Sequence, residues 1–260
     1  MQKHSQNDEG PHRDTRYTCV VTRPTVEDIT TDGENTLYLV RPTKANGAAV
    51  MWLHWFDESP NANRGQFLDE AGALADLGVT SVLPQLGFPW HSPPTDIESD
   101  LGRIEAEKRW LLETHATLTG THGVDPSRIA LVGHDFGAMH GMNLLGEVEF
   151  AAAVLIAATP RWADWFLPFW PITTDRYDYM RALEPVDPVT TVTRAGCPLL
   201  FQFGKTDFYI AAMTGLELFS AGPEPKQMES YESGHAMDAE DIRGDRTRFL
   251  SDRLGLSDPR

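Results

Sequence analysis

Short runs of apolar and β-branched residues alternate, from about Tyr17 to Leu254, with longer stretches whose apolar side chains recur every three or four positions. The first runs, Thr18–Val21 and Thr36–Val40, read as the two strands of a hairpin. Ala48–Trp55 follows as a strand between a Gly47 turn and a polar loop. In Gln66–Gly78 the residues Phe67, Ala71, Leu74 and Leu77 share one helical face, and Gly78 stands where a helix stops. Val79–Leu86 reads as a strand. Thr95 and Glu98 then form a capping box that opens a helix with Ile97, Leu101, Ile104, Leu111 and Leu118 on its apolar face. The acidic residues within Asp96–Glu113 read as that helix's solvated side.

A strand at Arg128–Gly133 runs straight into a helix over Phe136–Leu145, and Phe150–Ala158 is the next strand. An irregular aromatic-rich stretch reaches about Ala195. A strand at Pro198–Gly204, a helix near Ala211–Ser220, a strand at Gln227–Ser233 and a helix around Asp241–Leu254 close the pattern. Such alternation predicts an α/β fold: a mostly parallel central sheet with helices on both faces. Sites in these sheets lie beyond the carboxyl ends of the strands.

Length and composition fit one large domain: 260 residues, 41% hydrophobic and 23% charged. The first sixteen residues read as a flexible polar tail, and residues 17–260 as the domain, with a short cap inserted at about 160–196. The formal charge of −16 sets the surface against phosphate backbones and anionic lipid, so neither nucleic acid nor a membrane is expected as a partner. No run approaches the roughly 18–20 apolar residues of a membrane span, and the polar start lacks a secretory core. Cys19 and Cys197 make no disulfide framework and read as small buried side chains in a reducing cytoplasm. A homo-oligomer remains compatible with all of this.

The chemistry concentrates at Gly133-His134-Asp135-Phe136-Gly137, which has the G-x-nucleophile-x-G form between a strand and a helix. A nucleophile on so sharp a turn needs small neighbours, and the amide after it lies at a helix N-terminus, where negative charge is stabilised. Asp207 follows the Pro198–Gly204 strand and His235 follows the last strand, completing the order nucleophile, acid, histidine. His54, His91, His134 and His140 match no compact ligand spacing and read as structural, so no metal site is expected. No Gly-rich phosphate loop is present, and no cofactor is expected.

On these residues the chain from about Ala48 to Leu254 resembles the α/β-hydrolase superfamily, and in its compactness the dienelactone-hydrolase-like branch. Its elbow is similar to the G-H-D-x-G elbow of haloalkane dehalogenases and epoxide hydrolases. The resemblance implies Asp135 as nucleophile, Asp207 as charge partner and His235 as base, with the amides of Phe56 and Phe136 as oxyanion donors. It also implies substrate contacts from Trp55 and from the cap residues Trp162, Trp165, Trp170, Tyr177 and Tyr179. The tyrosines would protonate an epoxide oxygen and the tryptophans would hold a halide; epoxide opening is the favoured expectation.

An aspartate, with an ordinary pKa near roughly 3.9, is ionised at neutral pH without help from a base. Against an ester carbonyl its adduct would expel the carboxylate and revert. Against saturated carbon it leaves a stable alkyl ester, which water activated by His235 then cleaves. The expected partner is therefore a small apolar organic substrate, with water. Two other readings stay open: an ester or lactone hydrolase in which Asp135 is the base, and a ligand-binding protein without turnover.

Overall fold

A computed structural model describes residues 24–31, 35–56, 63–121 and 123–256. The expected tail, the expected strand Thr18–Val21 and Cys19 lie outside the described residues. The strand that pairs with the second expected strand comes later in the chain. Strand β1 (Thr25–Thr30) runs antiparallel to β2 (Thr36–Arg41), joining Thr25 to Arg41 and Thr30 to Thr36. Its polar side chains, exposed along most of their length, hide it from a search for apolar runs.

Beyond that hairpin come β3 (Ala49–Leu53), β4 (Thr80–Pro84), β5 (Ile129–His134), β6 (Ala152–Ile156), β7 (Leu199–Gly204) and β8 (Lys226–Tyr231). They form one sheet in the order β1-β2-β4-β3-β5-β6-β7-β8. β2 meets β4 antiparallel, and every pair from β4 through β8 is parallel. Every residue of β3, β4, β5, β6 and β7 is buried, as strands covered on both faces must be. The edge strand β8, by contrast, keeps much of itself in water.

Helices α1 (Leu68–Asp76), α2 (Ile97–Thr121), α3 (Phe136–Met142), α7 (Ala212–Ala221) and α8 (Glu240–Leu254) fall where the sequence places them. The stretch expected to be irregular is instead short helices: α4 (Trp162–Phe169), α5 (Arg176–Leu183) and the four-residue α6 (Pro188–Thr191). Dense aromatics and Pro168 mask their periodicity.

Helix α2 corrects two expectations. Its cap is Asp96, which accepts from the Ser99 amide at 3.0 Å, while the Thr95 amide turns to Asp100. Its acidic residues are not all solvated either. Asp100 is fully buried, taking the Tyr179 hydroxyl at 2.6 Å and Arg103 at 3.0 Å. Glu107 reaches under the loop after β4 and accepts from the amides of Gly87 and Phe88. Burial pushes its carboxyl up to about 7.

A buried ion pair ties helix α8 to helix α1. Arg246 of α8 donates to Glu70 of α1 at 2.5 and 3.1 Å, and to the Met237 carbonyl at 3.1 Å. Removing one charge strands the other. Glu70→Gln is expected to cost about 3–5 kcal/mol in urea unfolding; a loss below about 1 kcal/mol would mean water reaches Arg246. Among the described residues no helix is long and apolar enough to cross a membrane, and Cys197 is a buried free thiol.

Candidate active site

At the carboxyl end of β5 the chain turns into α3 through Asp135, whose φ of 55° and ψ of −122° lie where side chains rarely go. Close packing holds it there. A Cβ on Gly137 would sit 2.3 Å from the Leu53 carbonyl oxygen, and one on Gly133 would sit 2.6 Å from the Ala138 Cα. Gly133 lets α3 fold back onto β5 and Gly137 lets it press against the end of β3, which brings the loop after β3 over Asp135.

The amide of Phe56 in that loop donates to Asp135 Oδ2 at 3.2 Å. Asp135 Oδ1 is buried and has no hydrogen-bond partner among the described residues. Burial raises the Asp135 pKa; His235 and the amides of Phe56 and Phe136 pull it back, incompletely. Two of the expected oxyanion donors thus act on this carboxylate.

His235, in the loop after β8, places Nε2 at 3.8 Å from Asp135 Oδ2 and Nδ1 at 2.8 Å from Asp207 Oδ2. Asp207 Oδ1 takes the amides of Tyr209 and Ile210 at 2.8 and 3.0 Å, which fixes the carboxylate. Burial lowers the His235 pKa, but the carboxylates of Asp135 and Asp207 outweigh it and lift the ring to about 9. Burial likewise opposes ionisation of Asp207, and the His235 contact overcomes it, so Asp207 ends below its ordinary value. The structure therefore brings Asp135, Asp207 and His235 together in one cluster.

Aromatic rings cover the cluster. Trp55 stacks on His235 at 5.8 Å and on His134 at 5.2 Å. Trp165 packs against Phe136 at 5.3 Å and meets His235 edge-on at 6.4 Å. Its indole N–H is buried with no partner among the described residues. Trp162 also lies on Phe136, but its N–H is spent on the Val186 carbonyl. Trp170 contacts Phe56 and Phe136.

The two tyrosines are not brought to Asp135. Tyr179 is buried with its hydroxyl on Asp100, and Tyr177 is 75% exposed. Tyr209, absent from the sequence-based set, stands instead with its ring 5.2 Å from His235. Nothing in its local sequence marks it out, since only the fold carries the Asp207 loop to that histidine.

His54 and His140 are held by backbone. His54 donates Nδ1–H to the Trp55 carbonyl and accepts the Leu86 amide on Nε2, and burial brings its pKa down to about 3. His140 donates to the Phe88 carbonyl at 2.7 Å and is lowered by burial to about 4. Among the described residues no group of three or more side chains is arranged so that it could hold a metal ion.

With a strand–elbow–helix turn flanked by compulsory glycines and followed in order by an acid and a histidine, the geometry agrees with the match of residues 45–247 to the Alpha/beta hydrolase family. The chain belongs to the α/β hydrolase family. Among curated proteins none matches this hydrolase in sequence. Among solved structures it is similar to the esterase domain of a Rhodothermus marinus protein, at 18% identity and a TM-score of 0.61, over 88% of this chain and 97% of that one. It is also similar to a thermophilic esterase from Thermogutta terrifontis, at 15% identity and a TM-score of 0.65, over 91% and 97% of the two chains. A third, dipeptidyl peptidase 4 from Porphyromonas gingivalis, matches at 15% identity and a TM-score of 0.66, with 88% of this chain covering 35% of that longer one. At these identities the likeness is one of fold.

Proposed function

We propose that this α/β hydrolase cleaves a small apolar substrate at saturated carbon, without a cofactor, through an alkyl ester on Asp135. The observation that carries the reading is the division of labour within one carboxylate. Oδ2 is held by the Phe56 amide, while Oδ1 is buried, unpartnered and free to attack.

In the first step an Oδ1 lone pair forms a bond to carbon as the carbon–halogen bond breaks, and the halide departs with its electron pair. The unpartnered Trp165 N–H supports a halide leaving group, since a neutral indole donates a hydrogen bond to an anion without giving up its proton. Epoxide opening would need a proton for the ring oxygen. The tyrosines expected to supply it are committed to Asp100 or exposed; protonated His235 stands nearer, so the preference for halide rests on the Trp165 N–H.

Forming the ester switches His235. In the resting protein two carboxylates hold its pKa up at about 9, so the ring is protonated at neutral pH. Alkylation removes the charge of Asp135 and its support for the imidazolium, so the ring pKa falls and His235 becomes a base. Water then attacks the Asp135 carbonyl carbon while its proton passes to Nε2. Oδ2 becomes the oxyanion, already facing the Phe56 amide. Collapse breaks the acyl–oxygen bond, and the alcohol leaves with the proton from His235. The net change is haloalkane plus water to alcohol, halide and a proton.

A single turnover in ¹⁸O-water is expected to place the label in the Asp135 carboxylate and none in the first alcohol released. Label in the product alone would sink the ester and make Asp135 a base that activates water directly.

A further inference from the structure

Gln66 lies in the turn before α1, outside the cluster described above, yet it touches the loop after β3 and, through His134, is linked to the loop of His235. Its Oε1 accepts the Trp55 amide at 2.8 Å, and its Nε2 lies 2.6 Å from His134 Nδ1. His134 Nε2 in turn lies 2.9 Å from the His235 carbonyl oxygen.

Every proton in this chain is assigned by its partner. The Trp55 amide can only donate, so the Gln66 oxygen faces it and the NH₂ faces His134. The His235 carbonyl can only accept, so His134 carries its proton on Nε2 and presents a lone pair at Nδ1 to Gln66. Each bond fits only this order, and reversing one leaves two like groups face to face. Burial keeps His134 neutral, well below its ordinary pKa.

We propose that Gln66 is a positioning residue that, through His134, locks the Phe56 amide loop to the backbone of His235, so that oxyanion donor and base hold one fixed separation across Asp135. The inference deepens the Asp135 reading only in what the lock means for turnover. The lock itself can be read without substrate.

The motif accounts for the glycines at 133 and 137 but leaves its second position open, and the network gives that position a task. The His134 side chain, like that of Asp135, reaches from the first loop to the last. Its ring also stacks on Trp55 at 5.2 Å and meets His235 at 5.2 Å. Arg246, holding the Met237 carbonyl, pins the far side of the same loop.

The test is NMR of histidine ring nitrogens and the Phe56 amide in the full chain, with two variants. Gln66→Met keeps the length and removes both bonds. The Phe56 amide signal is expected to move away from its Asp135-bonded position, with His235 still titrating near about 9. Gln66→Glu keeps the acceptor for Trp55 but puts an oxygen at Nδ1, so the pair must take up one proton, on Nδ1 or on the carboxyl, to keep that bond. The Nδ1 nitrogen signal is expected to move with that uptake, while the Phe56 amide keeps its Asp135-bonded position. A glutamine that merely fills space would do neither. The lock is overturned if Gln66→Met leaves the Phe56 amide unmoved, or if Gln66→Glu leaves the His134 Nδ1 signal where it was. Should Gln66→Met not fold, the Gln66→Glu result decides alone. Either result is independent of whether an ester forms on Asp135.

Discussion

Asp135→Asn is expected to lower turnover by about 10⁴-fold or more, because the amide oxygen that replaces Oδ1 is a poor nucleophile at carbon. The same change should alter the titration of His235, which ties the loss to the site and not to misfolding. Asp135 is the first of the two carboxylates that lift the His235 pKa to about 9. Asparagine has nearly the same shape and no charge, so the midpoint should fall by about one to three pH units, with Asp207 still holding part of the rise. Histidine NMR in the folded variant measures it. An unchanged midpoint would contradict the charge switch proposed for the second step.

The sign of the pH dependence follows from the same pair. Burial raises the Asp135 pKa, so the attacking carboxylate is lost as pH falls through that raised value. In the ester His235 no longer faces a charge at Asp135, so hydrolysis should already run at pH values well below about 9. Under single turnover, ester formation should therefore fail on the acid side, and ester hydrolysis should rise with pH to a plateau.

Gly137→Ala is the second change with a large expected effect. The added carbon would lie 2.3 and 2.5 Å from the carbonyl oxygens of Leu53 and His54, and backbone cannot swing aside as a side chain can. The expected loss is at least about 3 kcal/mol in urea unfolding. Any folded fraction should show a displaced Phe56 amide, since the displaced oxygens sit at the start of its loop. Gly102→Ala on α2 is the control. Nothing lies within 4 Å of its added carbon, and the variant should be neutral or up to about 1 kcal/mol more stable. Equal losses at both positions would mean that the elbow contact is softer than the geometry implies.

What could be read from the chain and what could not divide on physical lines. The elbow was legible because its constraint is local: two glycines around Asp135 on one turn, between a buried strand and a helix. The parallel strands were legible because burial on both faces makes them continuous apolar runs. The acid and the histidine were legible by their places after β7 and β8. Strand β1 was not, since a solvated edge strand carries no apolar signature and takes its register from β2.

The cap shows the same limit. Tyr179 and Tyr177 have similar neighbours in sequence, but only packing decides that one hydroxyl reaches a buried Asp100 and the other reaches water. Asp100 and Glu107 look like the rest of an acidic helix until the elements they cap are folded against them. Gln66 meets His134 across a sequence separation of 68 residues, which no local pattern announces.

The most direct test of an ester on Asp135 is the intact mass of His235→Gln after exposure to a panel of haloalkanes and epoxides. Without the base the second step stalls, and the protein should gain the mass of the alkyl group on Asp135, that of the haloalkane less hydrogen halide or that of the whole epoxide. Asp135→Asn treated in the same way should stay unmodified. If the wild type turns over a member of the panel while His235→Gln gains no mass, the carboxylate does not attack carbon and the account is wrong.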